Sequence, residues 1–245
     1  MTRLAILSDI HGNLPALQAV IADAEAAGCT GFVNLGDTLS GPLWPVETAD
    51  FLMARDWPTI AGNHERQLLT LPRERMSASD AFTRERLDQR QLAWLAAQPA
   101  TRELSPDIFL CHGTPASDLT HYLTTVEPAG LRDANDAELA ERTGDRTEPL
   151  ILCGHSHVPG ERVLPDGRRI ANPGSVGLQA FHDDLPCAYT VENGDPRARY
   201  AIVEKGAVLF RQVAYDHRAA AAKAERDGRP DWALGLRTGR MEQES

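Results

Sequence analysis

The sequence lacks the features that mark secreted and membrane-spanning chains. Its 245 residues include only four cysteines (Cys29, Cys111, Cys153 and Cys187), and none of them lies in a C-x-x-C pair. So few scattered cysteines do not predict a disulfide framework, and we expect reduced, buried thiols. No apolar run is long enough to cross a bilayer, and the opening residues MTRLAILSDIHG do not resemble a secretory signal. These absences predict a cytoplasmic protein.

Positive charge is also scarce. The chain carries 25 Lys and Arg against 35 Asp and Glu, which gives a formal net charge of -10. An acidic surface repels nucleic-acid backbones and anionic membranes. We therefore expect a small substrate, with neither a membrane nor a long nucleic acid as a partner. The sequence leaves homo-oligomerisation open.

Short apolar runs alternate with helical patterns in the first part of the chain. Strands are predicted at residues 4–7, 32–35 and 59–61, and helices at about 14–27 and 46–54. Strands that alternate with helices in this order predict a largely parallel sheet with crossover helices.

The later segments are less regular. Residues 65–104 are polar and predict one or two external, lid-like helices, whereas residues 114–148 predict loop and amphipathic helix. Further strands are predicted at 108–111 and 150–153. An antiparallel meander is predicted from strands at 169–171, 188–191, 200–203 and 208–213. We expect one domain over residues 1–215, followed by a C-terminal helix and flexible tail over 216–245, disordered from about 238.

Polar motifs follow five of the apolar runs. Residues beyond the carboxyl ends of strands in an open α/β sheet converge on one site. Taken singly, each motif is more typical of an ordinary turn, cap or core histidine than of a metal site, but their joint occurrence predicts a site. The motifs are Asp9-x-His11, Gly36-Asp37, Gly62-Asn63-His64-Glu65, His112-Gly113 and Gly154-His155-Ser156-His157.

The residue types in these motifs are metal ligands. Alternate residues at a strand end point to the same side, so Asp9 and His11 can share one cation. The carboxylate of Asp37 has two oxygens and can bridge two cations. Imidazole, carboxylate and carboxamide donors suit Mn²⁺, Fe, Zn²⁺ or Ni²⁺ better than Ca²⁺.

The ordered series D-x-H, G-D, G-N-H-E, H-G and G-H-S-H resembles the calcineurin-like metallophosphoesterase superfamily, and its small bacterial phosphodiesterase branch in particular. The resemblance implies an α/β fold, a four-layer α/β/β/α sandwich of two mixed sheets with flanking helices. It implies two divalent metal ions, Mn²⁺ first, with Fe/Mn, Ni²⁺ or Zn²⁺ as alternatives. It also implies roles for individual residues: Asp9, His11 and His157 on one metal, Asn63, His112 and His155 on the other, Asp37 bridging, and His64 as general acid.

The resemblance further implies a hydrolase of phosphate esters, in which two metals activate a hydroxide that attacks phosphorus. We favour a phosphodiesterase acting on small or nucleotide substrates. A phosphomonoesterase, a phosphoprotein phosphatase and a dinucleoside polyphosphate hydrolase stay open as alternatives, and a non-catalytic interaction module is a remote one. Additional substrate contacts are assigned to Asn13, Asn172 and Ser175, each of which has a capping or turn role as its alternative.

Overall fold

The computed structural model describes residues 3–128 and 130–241. In these ranges the helices are α1 (Leu14–Ala26), α2 (Pro45–Met53), α3 (Asn63–Thr70), α4 (Ala78–Arg84), α5 (Gln89–Ala96), α6 (Asp136–Thr143), α7 (His217–Arg226) and α8 (Pro230–Thr238). The strands are β1 (Leu4–Leu7), β2 (Gly31–Asn34), β3 (Thr101–Ser105), β4 (Ile108–Cys111), β5 (Thr124–Glu127), β6 (Gly130–Asp133), β7 (Leu150–Leu152), β8 (Gly160–Val163), β9 (Arg169–Asn172), β10 (Ala180–Asp183), β11 (Tyr189–Glu192), β12 (Ala198–Glu204) and β13 (Ala207–Val213).

Two mixed sheets form the centre of the molecule. The first has the order β13-β12-β1-β2, with β1 parallel to β2 and antiparallel to β12. The second has the order β3-β4-β7-β9-β8, with β4, β7 and β9 parallel and both edge strands antiparallel to their neighbours. The pairs β5-β6 and β10-β11 form separate hairpins.

The apolar residues divide into layers that match this arrangement. One buried cluster lies between the sheets and includes Ile6 and Val33 from the first sheet and Leu110 and Leu152 from the second. A second cluster lies between α1 and the outer face of the first sheet. A third covers the outer face of the second sheet and includes Leu139 of α6. Burial of apolar area from water stabilises each layer, and the predicted α/β fold of two mixed sheets with flanking helices is confirmed.

Two predictions about secondary structure were wrong for local reasons. Residues 59–61 form no named strand, and Thr59 makes only an isolated parallel bridge to Asn34. The preceding Pro58 has no N–H to extend a ladder. Residues 65–104 contain more elements than the one or two predicted helices, because Pro72 follows α3 while Ser77 and Asp88 cap new helices.

The predicted meander was also wrong. Of the four predicted strands, only those that became β12 and β13 pair with each other, whereas β9 joins the second sheet between β7 and β8, β11 pairs with β10, and β12 also lies beside β1 in the first sheet. The segment 114–148 contains the hairpin β5-β6 in addition to the predicted helix.

The C-terminal segment forms the helices α7 and α8, which pack against each other. Their buried side chains, among them Ala221, Trp232 and Leu236, join Leu43 and Leu178 in one apolar cluster. Residues 242–245, part of the predicted flexible tail, lie outside the described residues. The division into a domain at 1–215 and a tail at 216–245 stays a prediction.

All four cysteines are free; three are buried and Cys187 is half-buried. Burial raises the pKa of the thiols of Cys111 and Cys153, which makes both poor nucleophiles at neutral pH. None of the helices in residues 3–128 and 130–241 has the length and apolar character that a bilayer crossing requires.

Candidate metal centre

The backbone turns into the left-handed region at five non-glycine residues of the predicted site. The φ angles are 55° at Asp9, 52° at His11, 51° at Asp37, 66° at His155 and 56° at His157. Such conformations cost about 1–3 kcal/mol each and persist where the surrounding structure enforces them, often at functional sites. Their coincidence with the sequence motifs marks this edge of the sheets as a functional site.

Backbone hydrogen bonds join the loops that carry these residues. The N–H groups of Asp9 and His11 donate to the carbonyls of Gly36 and Asp37, at 3.0 and 2.9 Å. The N–H of Gly154 donates to the carbonyl of His112 at 2.6 Å, which joins two loops of the second sheet. The strained turns are therefore held by their neighbours rather than by their own sequence.

One group of donor atoms comes from Asp9, His11 and His157, whose donor atoms lie within 4.8 Å of one another. The Nε2 atoms of His11 and His157 are 3.1 Å apart, and His157 Nε2 lies 3.4 Å from Asp9 Oδ1. All three side chains are buried. Two imidazoles and a carboxylate at these distances form a suitable set for a divalent cation.

A second group comes from Asp37, His112 and His155, which also gather within 4.8 Å. His112 Nε2 lies 3.1 Å from Asp37 Oδ2 and 3.2 Å from Asn63 Oδ1. The two groups are neighbours, since His112 Nε2 is 3.9 Å from Asp9 Oδ1. The structure thus brings together all seven residues predicted as metal ligands.

Backbone carbonyls orient the imidazoles. Because a carbonyl oxygen only accepts, the ring nitrogen facing it carries the hydrogen and the other nitrogen keeps its lone pair. The Nδ1 atoms of His11, His157 and His112 face the carbonyls of Ser40, Leu178 and Leu35, at 2.7, 2.7 and 2.8 Å. His155 is reversed, with Nε2 3.0 Å from the carbonyl of Leu119. The opposite ring nitrogen of each histidine keeps a lone pair with which it can bind a metal, so the residues present fit two cations.

Electrostatics favour neutral imidazole at two of these positions. Burial, together with the neighbouring His157, lowers the pKa of His11 to about 4. Burial, together with His112, lowers the pKa of His155 to about 4. At His112 burial is outweighed by Asp37, and the pKa rises to about 10. The same proximity holds the pKa of Asp37 well below its usual range despite burial. The Asp37 carboxylate is therefore charged at neutral pH.

His64 lies beside the donor groups and contacts an acid that sequence reasoning missed. Its Nδ1 is 2.7 Å from Asp80 Oδ1, and its backbone N–H donates to Asp37 Oδ1 at 3.0 Å. Burial lowers the pKa of His64, but Asp37 and Asp80 outweigh it and raise the pKa to about 10. Asp80 lies on α4, 16 residues along the chain from His64, and no sequence motif links the two.

A second missed residue is Glu65, the last residue of the Gly-Asn-His-Glu motif. Its carboxylate accepts from the N–H groups of Asp37, Thr38 and Gly62, each at 2.8 Å. Its position as third residue of α3 is typical of a capping glutamate, and this signal was available in the sequence. Gly62 also permits a close approach, because a Cβ there would lie 2.2 Å from Asp37 Oδ1.

The three residues assigned to substrate contact lie buried beneath the site. Asn13 caps α1 and donates to the carbonyl of Gly177 at 2.8 Å. Asn172 donates to the carbonyl of Gly154 at 2.6 Å, and Ser175 donates to that of Asp9 at 2.8 Å. With 0–1% exposure, these side chains brace the loops that carry the metal-ligand candidates. Their positions do not support the predicted substrate contact.

A cavity of about 1090 Å³ opens above the donor groups. Besides His11, His64, His155 and His157, its lining includes the apolar side chains of Leu71, Met76, Leu119, Phe181 and Trp232. The ring of Phe181 packs 4.6 Å from that of His157, centroid to centroid. Metal-ligand candidates and apolar side chains therefore line the same cavity.

Comparisons with known proteins agree with this site. A family model described as the calcineurin-like phosphoesterase superfamily domain matches residues 2–194. An uncharacterised protein of Methanocaldococcus jannaschii is 25% identical over 259 aligned positions, which cover 96% of each chain. The crystal structure of a metallophosphoesterase from Sphaerobacter thermophilus has a TM-score of 0.76 at 26% identity and covers 98% of this chain and 100% of its own. A hypothetical protein from Pyrococcus horikoshii has the same fold, with a TM-score of 0.74 at 18% identity over 99% of this chain and 100% of its own.

Proposed function

Because the chain belongs to the calcineurin-like phosphoesterase superfamily and is a metal-dependent phosphoesterase, we propose that it is a phosphodiesterase for small or nucleotide-like esters. The observation that carries this proposal is a single cavity of about 1090 Å³ that donor residues and apolar side chains line together. A diester has an organic group on each side of its phosphate, and a cavity of this size can hold both groups.

The chain's own residues have separable roles in this proposal. Asp9, His11 and His157 would hold one divalent ion, Asn63, His112 and His155 the other, and Asp37 would contact both. When bound, the pair supplies Lewis acidity toward the phosphoryl oxygens and a hydroxide nucleophile from water at neutral pH. Mn²⁺ is the first candidate, and Fe, Ni²⁺ and Zn²⁺ suit the same nitrogen and oxygen donors.

His64 would act as the general acid. The Asp80 carboxylate accepts a hydrogen bond from the Nδ1–H of His64, so the Nε2–H of the ring can donate to a substrate. The His64 ring lines the cavity. Its raised pKa, about 10, keeps the imidazolium form populated at neutral pH. A proton donated to the leaving oxygen avoids release of a free alkoxide, an effect typically worth ~10²–10⁴-fold in rate. Asp80 would both orient the ring and stabilise its charge.

We also propose that the protein acts in the cytoplasm, as the free thiols of its cysteines suggest. The remote alternative, a non-catalytic module, would tolerate loss of metal ligands. All seven positions and His64 are filled here, which favours the enzyme.

The first test is hydrolysis of bis-p-nitrophenyl phosphate and p-nitrophenyl phosphate with Mn²⁺, Fe²⁺, Ni²⁺ or Zn²⁺, together with the metal content of the same preparation. A diadenosine polyphosphate serves as a third substrate. We expect the highest kcat/KM for the diester. A preference for the monoester or for the polyphosphate would replace the diesterase assignment with the corresponding alternative.

A further inference from the structure

The helices α7 and α8 lie beyond the residues that the family model matches, yet Arg229 in the turn between them and Asp231 and Trp232 of α8 line the cavity. The indole of Trp232 on α8 packs edge-on against the ring of His11, with centroids 5.8 Å apart. It also fits closely over Gly41, where a Cβ would lie 2.8 Å from the indole. The helix pair is therefore packed directly onto the loop that orients His11.

Arg229, in the turn between α7 and α8, reaches from this helix pair to α4. Its Nε and Nη2 atoms donate to the two carboxylate oxygens of Asp231, at 2.9 and 2.7 Å. Its remaining nitrogen, Nη1, donates to Ser79 Oγ at 2.9 Å. The bidentate pair with Asp231 fixes the plane of the guanidinium, so Nη1 is held in the direction of Ser79.

Ser79 directly precedes Asp80, the partner of His64. Asp80 Oδ1 lies 2.7 Å from His64 Nδ1 and accepts from Ser40 Oγ at 2.7 Å. Ser40 of loop 38–41 thus holds the carboxylate of Asp80 directly. The contact between Arg229 and Ser79 anchors the first turn of α4, on which Asp80 lies.

We propose that Arg229 is a positioning residue for the His64–Asp80 pair, and that through it the C-terminal helices are a working part of the active site. This inference rests on the proposed function in one respect, the role of His64 as proton donor. The physical argument is that donation requires a hydrogen bond of narrow geometry, and a shift of about 1 Å in a supporting group can cost on the order of 100-fold in rate.

The test compares two diesters that differ only in leaving group, methyl p-nitrophenyl phosphate and methyl phenyl phosphate. Proton donation has little effect on the rate for p-nitrophenol, which is a good leaving group, and a large effect for phenol, which is a poor one. We expect Arg229→Gln to lower kcat/KM for the phenyl ester by about 10-fold or more, with a loss of less than about 2-fold for the nitrophenyl ester. Ser79→Ala should have the same effect. Because both residues act through one contact, the double variant should lose no more kcat/KM for the phenyl ester than either single variant. Arg229→Lys should recover part of the loss.

Arg237→Gln is the matched control, because Arg237 pairs with Glu225 at 2.6 Å inside the same helix pair. It should leave the ratio of the two esters unchanged. Equal losses for both esters in Arg229→Gln, or the same ratio change in Arg237→Gln, would overturn the inference and leave only a structural role.

A second readout does not depend on turnover. In full-length protein loaded with diamagnetic Zn²⁺, the ring resonances of His64, assigned with His64→Gln, should move in Arg229→Gln and Ser79→Ala but not in Arg237→Gln. Unmoved resonances would refute the positioning role. Failure of the wild type to cleave either ester would refute the proposed function alone, since the resonances would still decide the inference.

Discussion

The carboxylate of Glu65 accepts a hydrogen bond at 2.8 Å from the backbone N–H of Asp37, 28 residues earlier in the chain. The backbone N–H groups of Thr38 and Gly62 also donate to this carboxylate, so the buried Glu65 side chain connects the turn that follows β2 to the start of α3. Asp37, the candidate bridging ligand, and Asn63, a candidate ligand of the second group, lie on these two segments. The geometry of the second donor group therefore depends on a residue that is itself no ligand candidate.

Glu65→Gln should destabilise the fold and the metal site together. The amide replaces one accepting oxygen by a donor, which leaves buried N–H groups without an acceptor at a cost of about 1–3 kcal/mol. We expect a lower free energy of unfolding and fewer than two bound metals per chain, as measured by denaturant titration and elemental analysis. Glu138→Gln is the control, since Glu138 is also a capping glutamate but is only partly buried, on α6 and away from the metal-ligand candidates. Equal metal content in both variants would contradict the role of Glu65.

His64→Ala should lower turnover while both metals stay bound. Loss of a general acid typically costs ~10²–10⁴-fold, and the imidazoles of the two donor groups are contributed by other residues. Steady-state kcat for a diester and the metal content of the same sample check this. Loss of one metal in the variant would identify His64 as a ligand instead. His217→Ala, in α7, should change neither quantity.

Metal removal should lower the thermal midpoint as well as abolish hydrolysis. A ligand that binds only the folded state adds about 2.7 kcal/mol per site at 100 times its dissociation constant. The Nε2 atoms of His11 and His157 lie 3.1 Å apart, where at most one hydrogen bond can form, so removal of a shared cation would leave a buried ring nitrogen without a partner. Differential scanning fluorimetry with a chelator, then with added Mn²⁺, should show a fall and a recovery. A smaller recovery is expected for His157→Ala, and an equal one would argue against His157 as a ligand.

Asp23 provides a pH-dependent contribution to stability far from the metal site. Hydrogen bonds from Arg211 and Tyr200 hold the pKa of Asp23 below its usual range despite partial burial. Because the folded-state pKa lies below the unfolded value of about 3.9, this contribution is fully present above that value. It is lost as the pH falls through the folded-state pKa.

Asp23→Asn should therefore reduce the free energy of unfolding at neutral pH, by no more than about 1 kcal/mol for an ion pair near the surface. The difference from wild type should shrink below about pH 4. Urea titrations at several pH values measure it, with Arg211→Gln expected to show the same convergence. A difference that stays constant with pH would show that packing, rather than charge, is lost.

The local pattern of the sequence was sufficient for the metal-ligand candidates, because all of them except Asn63 lie in a loop that follows a short apolar strand. Runs such as residues 4–7 and 108–111 are too short and too apolar for surface helices, and the polar residue after each must lie at a sheet edge. The order of motifs then identified the family. Predictions failed where pairing was non-local, as for β12, which lies beside β1 although almost the whole chain separates them. Local turn signals cannot specify such a partner, because packing between distant segments selects it.

By itself, the sequence determined which residue types meet at the strand ends, and therefore the chemistry of the site. Only the tertiary structure decided which groups surround them. Asp80 is hydrogen-bonded to His64, Glu65 accepts from the backbone of Asp37, and Trp232 of the C-terminal helix α8 packs against His11. It also placed Asn13, Asn172 and Ser175 in the buried support rather than in the cavity wall. The physical reason is that ligand identity follows from side-chain chemistry, whereas orientation, burial and pKa depend on neighbours brought from remote parts of the chain by the packing of two sheets.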